Sequence, residues 1–74
     1  MPQIRIPIEW YDLICYMAST RRKKFSDFLD YILHTDECIG LNEVTPTAFR
    51  KISLSSDVSE NEISRKIKYF LFCR

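Results

Sequence analysis

A single glycine, Gly40, serves a chain of 74 residues, and that scarcity sets the first limit on the fold. Tight hairpins need residues at positive φ, which glycine supplies at least cost. A multi-stranded sheet is therefore not expected. With 46% hydrophobic and 14% aromatic residues, the chain is too apolar for a disordered or low-complexity segment. Its length fits one domain, residues 1–74. The fold class these features imply is mainly α: a short N-terminal strand arm followed by three or four helices. A lone core of this size contributes only about 3–5 kcal/mol, so disulfides, metal or self-association are the expected braces.

The cysteines are Cys15, Cys38 and Cys73. Their number is odd and no CxxC occurs. They read as reduced, partly buried thiols of a cytoplasmic protein. His34 and Cys38 stand at i, i+4, but a structural metal site needs four ligands with paired spacing, so no metal and no cofactor are expected. Charges run through the first twenty residues, unlike a signal peptide. Apolar runs such as Tyr69 to Cys73 are far shorter than a membrane span. Self-association is the brace that remains, and a homodimer is expected.

Along the chain, Gln3-Ile4-Arg5-Ile6 alternates with period two, the signal of a minimal strand. Pro7 suits a helix start, with Glu9 and Asp12 where the helix dipole favours acids. Trp10, Ile14, Met17 and Ala18 make an apolar stripe on a helix over about 8–20. Phe25, Phe28, Leu29, Ile32 and Leu33 make a second. Between them lies Arg21-Arg22-Lys23-Lys24, with no breaker. One continuous helix over 8–34, within an all-α bundle, is therefore the alternative. Residues 34–45 read as an acidic loop carrying Asp36, Glu37 and Glu43. Residues 46–74 read as a C-terminal helical half. Thr45-Pro46 caps its first segment, which has Phe49 and Ile52 on its apolar face and stops in the serine-rich stretch 53–57. Its second segment opens with Ser59 and Glu62 as a capping box and Val58 and Ile63 as a hydrophobic staple. Ile63, Ile67, Phe70 and Leu71 then line one face.

The net charge of +1 hides an uneven distribution. Residues 1–34 carry +1, residues 35–45 carry −3 and residues 46–74 carry +3. Basic clusters remain at Arg21–Lys24 and Arg65–Lys68.

A lone short strand cannot satisfy its own backbone. The simplest partner is the same strand of a second copy about a two-fold axis, giving a ribbon that fits the DNA major groove. Gln3 and Arg5 would face outward, where Gln bonds adenine and Arg bonds guanine. On Ile4-Arg5-Ile6-Pro7-Ile8-Glu9, the pattern Trp10, Ile14 and Ala18, and Ser26-Asp27-Phe28-Leu29, residues 3–33 resemble the ribbon-helix-helix family of DNA-binding regulators. The resemblance covers the strand-helix-helix half of the chain. It implies an obligate dimer whose ribbon reads bases through Gln3 and Arg5. It also implies a phosphate held by backbone amides near Phe25 and Ser26, since helix N-termini favour anions. Arg22 and Lys24 stand where the family usually has a glycine-containing turn and a small polar cap.

Residues 48–68 more loosely resemble a helix-turn-helix. Ile52 and Ser53 match the first helix, and Ser64, Arg65 and Lys68 are its alternative DNA contacts. Ser56 and Asp57 depart from the pattern, and Glu60 and Glu62 would repel phosphate. A capped amphipathic helix packed on the rest of the chain explains the same residues without DNA.

No glycine-rich phosphate loop or paired acid site points to catalysis, and so short a chain rarely encloses a deep pocket. No enzyme is expected. Two functions follow. The first is a small dimeric, sequence-specific transcriptional regulator of double-stranded DNA. It would use Gln3, Arg5, Arg21, Arg22, Lys23, Lys24 and Ser26 on DNA and Ile4, Ile6, Trp10, Tyr69 and Phe72 at the dimer or partner interface. The second is a phage- or plasmid-encoded inhibitor or adaptor of a host protein complex, acting through an aromatic surface or the acids Asp36, Glu37 and Glu43.

Overall fold

Ile4 and Ile6 point inward from a strand, β1 (Gln3–Pro7), while Gln3 and Arg5 stay exposed. Pro7 then supplies the fixed φ from which a helix, α1 (Ile8–Thr20), departs. A second helix, α2 (Phe25–His34), a second strand, β2 (Phe49–Ser53), and a third helix, α3 (Glu60–Phe72), complete the chain. The structure, a computed structural model, describes residues 3–54 and 58–73.

The strand arm pairs within its own chain. β1 and β2 run antiparallel, with Gln3 opposite Ser53, Ile4 opposite Ile52, Arg5 opposite Lys51, Ile6 opposite Arg50 and Pro7 opposite Phe49. This corrects two expectations. Residues 49–53 are a strand rather than a helix behind a Thr45-Pro46 cap, and β1 finds its partner without a second copy. As a helix, residues 46–53 would bury little more than Phe49 and Ile52. As a strand they place Ile52 beside Ile4 in the core, satisfy the ladder of β1, and lead to Leu54, which is also buried. The other edge of β1 is met by α3, where the Arg5 amide donates to Glu60 Oε1 at 3.3 Å. The Ile8 amide donates to the Ala48 carbonyl at 3.0 Å, and the amide and hydroxyl of Thr47 donate to Glu9 Oε1 at 3.0 and 2.6 Å. The Thr47 hydroxyl first, then the Glu9 backbone amide and the Thr47 amide, hold the Glu9 carboxyl below its usual range against a smaller opposing effect of burial. The bonds from Ile8 and Thr47 fasten the segment leading into β2 to the start of α1.

The break between α1 and α2 rules out one long helix. Arg22 takes a left-handed conformation, φ 55°. The Arg22 amide donates to the Ser19 carbonyl and the Lys23 amide to the Ala18 carbonyl, at 3.0 and 2.9 Å. This pair of bonds is the Schellman ending of a helix, built on a residue with a side chain where glycine is usual. At the head of α3 the Ser59 side chain accepts from the Glu62 amide at 3.3 Å, so the expected cap is present. Ser55, Ser56 and Asp57, which carry most of the expected serine-rich stop, lie outside the described residues.

Both halves of the sequence share one core. Ile6, Ile14, Phe28, Ile32, Ile63, Ile67, Phe70 and Leu71 have almost no exposure, and no polar or charged residue is buried with them among the described residues. Phe28 and Phe70 meet edge to face at 5.8 Å, linking α2 to α3. Ile4, Ile6 and Phe72, expected at a dimer or partner interface, are buried in this same core. The half-buried Trp10 ring lies 5.9 Å from that of Phe72. The apolar stripe meant for a second copy is thus used by the chain itself. Tyr69 alone of that group stays substantially exposed.

The acidic loop turns back along the end of α3. The Ile39 and Leu41 amides donate to the Phe70 and Leu71 carbonyls, both at 2.7 Å, satisfying carbonyls that a helix end leaves open. That return brings Cys38 to Cys73, with Cα atoms 5.7 Å apart, and the two form a disulfide within the usual span for such a bond. The expectation of three free thiols is corrected. Only Cys15 is free among the described residues. Disulfides persist in oxidising compartments, so the cytoplasmic expectation, drawn from reduced thiols, loses that support. No helix among the described residues is long and apolar enough to cross a membrane.

Candidate nucleic-acid interface

Because paired residues on an antiparallel ribbon share a face, the register fixes what the ribbon shows to solvent. Ile4 and Ile52 define the inward side. Gln3, Arg5, Phe49, Lys51 and Ser53 therefore lie on the outward side, and all five are exposed. Arg5 and Lys51 stand directly opposite one another, an arrangement of like charges that disfavours the ribbon. The Arg5 guanidinium sits over the Phe49 ring, 5.7 Å from its centroid, a cation–π contact that positions the charge. Sequence reasoning found Gln3 and Arg5 here but missed Phe49, Lys51 and Ser53. The available signal was the alternation of Ile52-Ser53-Leu54, which the Thr45-Pro46 cap pattern outweighed.

Arg50, opposite Ile6, turns along the sheet margin and places its guanidinium 4.4 Å from the Tyr11 ring centroid. The Tyr11 phenol is held above its ordinary range, chiefly by its hydrogen bond with Cys15.

The second basic group lies on the turn between α1 and α2. Arg21 lies over Phe28 at 5.2 Å and donates to the Met17 carbonyl at 3.2 Å. Lys23 lies 5.4 Å from the Tyr31 centroid. Arg22 and Lys24 are exposed without such ring contacts. Arg22 keeps a positive φ, which costs a residue with a Cβ roughly 1–2 kcal/mol.

A small open cavity is lined by Phe25, Ser26, Leu29, Asp30, Leu33, Ser53 and Leu54, and by none of these cations. It brings the first turn of α2 next to the Gln3–Ser53 end of the ribbon. The amides near Phe25 and Ser26 open that helix, though Asp27 already places a carboxylate in its first turn.

The C-terminal candidates do not join this surface as a helix-turn-helix, because the segment expected to be its first helix is β2. Arg65 and Tyr69 border an open groove with Thr35, Asp36 and Lys66. Lys68 pairs with Glu43 at 3.4 Å, and Ser64 is half-buried on α3. Glu37 accepts from the Tyr31 hydroxyl, so the loop acids are partly engaged within the chain. His34 pairs with Asp30 at 3.6 Å, while Cys38 is bound to Cys73. No cluster of three His, Cys, Asp or Glu residues that could hold a metal occurs among the described residues. Comparison with protein-family models, curated proteins and solved structures finds no match to this chain.

Proposed function

We propose that this chain binds double-stranded DNA through the outward face of the β1–β2 ribbon. The observation that carries this reading is the cross-strand pair of cations, Arg5 and Lys51, on an exposed ribbon with Gln3 beside them. A two-stranded ribbon fits a major groove about 12 Å wide. Arg5, steadied over Phe49, and Gln3 have the hydrogen-bonding groups that read guanine and adenine edges. Lys51, with Arg22 and Lys24 from the neighbouring turn, supplies the phosphate contacts that fix register. The strand–helix–helix order supports the likeness to ribbon-helix-helix regulators, with one difference: the ribbon is completed by β2. β1 therefore needs no second copy to complete its ladder, and one chain carries both strands of the reader.

Labelled random-sequence duplex DNA should bind measurably at low salt and release as salt rises. On a selected site, Arg5→Ala should weaken binding by about 1–3 kcal/mol. Arg22→Gly should fold at least as stably, because it removes the left-handed strain, yet bind less tightly. Absence of duplex binding at low salt, or an Arg22→Gly chain that binds as well as its parent, would refute the proposal. A protein partner is the second reading, favoured by half-exposed Tyr69 on the open groove beside Arg65 and Asp36.

A further inference from the structure

We infer that the same ribbon binds single-stranded DNA, stacking an unpaired base on Phe49. This rests on the nucleic-acid reading above and extends it to a substrate with exposed base faces.

Phe49 opens β2 and faces outward opposite Pro7, with 56% of its surface exposed. The core takes Phe28, Phe70 and Phe72, and Phe25 packs against it. Phe49 instead sits among charges: Arg5 lies over its ring and Lys51 follows two residues later on the same face. Its location is therefore solvent-facing and cationic rather than a margin of the core.

Such a group meets two kinds of DNA differently. In a duplex the bases stack on one another and offer the groove only their edges, with the thymine methyl as the main apolar contact. A ring lying on a ribbon gains little from edges. An unpaired base presents a whole π face, and stacking on an aromatic side chain is sequence-tolerant. The flanking strand supplies the rest of a single-strand site. Arg5 and Lys51 meet the phosphates, and Gln3 has both a donor and an acceptor for a base edge. Five residues of strand span roughly 17 Å, enough for the backbone of a short run of nucleotides to follow the cations.

The experiment compares a labelled oligothymidylate with a labelled random duplex at the same low salt, using the full chain with its disulfide intact. The parent should bind both. Phe49→Ala should weaken oligothymidylate binding by about 10-fold or more, the effect expected from losing one stacked base, and should weaken duplex binding by less, since there it removes only the ring under Arg5. Phe49→Trp should restore the single-strand affinity, whereas Phe49→Leu, apolar but without a π face, should not. Circular dichroism checks that each variant keeps the parent fold. An unchanged oligothymidylate affinity in Phe49→Ala, or full restoration by Phe49→Leu, overturns the stacking inference while leaving duplex binding intact. Failure of the parent to bind either DNA overturns both.

Discussion

Reducing the Cys38–Cys73 disulfide is expected to lower the unfolding free energy by roughly 3–4 kcal/mol, the chain-entropy value for a loop of this length. The two cysteines are 35 residues apart, and the loop they close contains β2 and all of α3. A lone core of this size contributes only about 3–5 kcal/mol, so the reduced chain should keep no more than that margin. What then holds the loop to α3 is chiefly the pair of bonds from the Ile39 and Leu41 amides to the Phe70 and Leu71 carbonyls. Cys73 is exposed and Cys38 half-buried, so a dithiol can reach the bond, and its state follows the surrounding thiol–disulfide balance. Urea unfolding with and without dithiothreitol, repeated on Cys38→Ser, measures the effect. Coincident oxidised and reduced curves would refute it.

Phe70→Ala is expected to cost about 3–5 kcal/mol. Phe70 is 1% exposed. It meets Phe28 edge-on at 5.8 Å and Tyr31 at 6.5 Å, so truncation opens a cavity where α2 and α3 join. Its own carbonyl also receives the Ile39 amide, so a shift of α3 there loosens the disulfide loop. Phe70→Ala and disulfide reduction should therefore combine non-additively. Tyr16→Ala, at a position 70% exposed, should change stability by less than about 0.5 kcal/mol. The denaturation midpoints of these two variants provide the comparison. Equal small effects would contradict the placement of the core.

These effects also show which parts of the molecule local sequence could reveal. The stripes Ile14–Met17–Ala18, Phe28–Leu29–Ile32 and Ile63–Ile67–Phe70 repeat at helical spacing, and each helix buries the face so marked. Ser59 announces α3 because a cap acts within four residues. β2 is different. Its residues form a strand because Ile4 lies opposite Ile52, more than forty positions away, while the nearby Thr45-Pro46 pattern points to a helix. The bend at Arg22 was hidden because arginine there accepts a conformation usually given to glycine. The disulfide depends on the loop's return along α3, which no spacing of cysteines encodes. The proposed site divides along the same line: Gln3 and Arg5 stand out in a local alternation, whereas Lys51 and Phe49 join them only through strand pairing.

In the proposed complex, cations from the ribbon and the α1–α2 turn neutralise DNA phosphates. The most direct measurement is the salt dependence of duplex binding for the parent and for the double variant Lys51→Ala/Arg22→Gly. Each lost phosphate contact should reduce the slope of log affinity against log salt by about one, so the double variant should be shallower by about two. Identical slopes would contradict this neutralisation and leave Lys51 as a guard on an exposed strand edge.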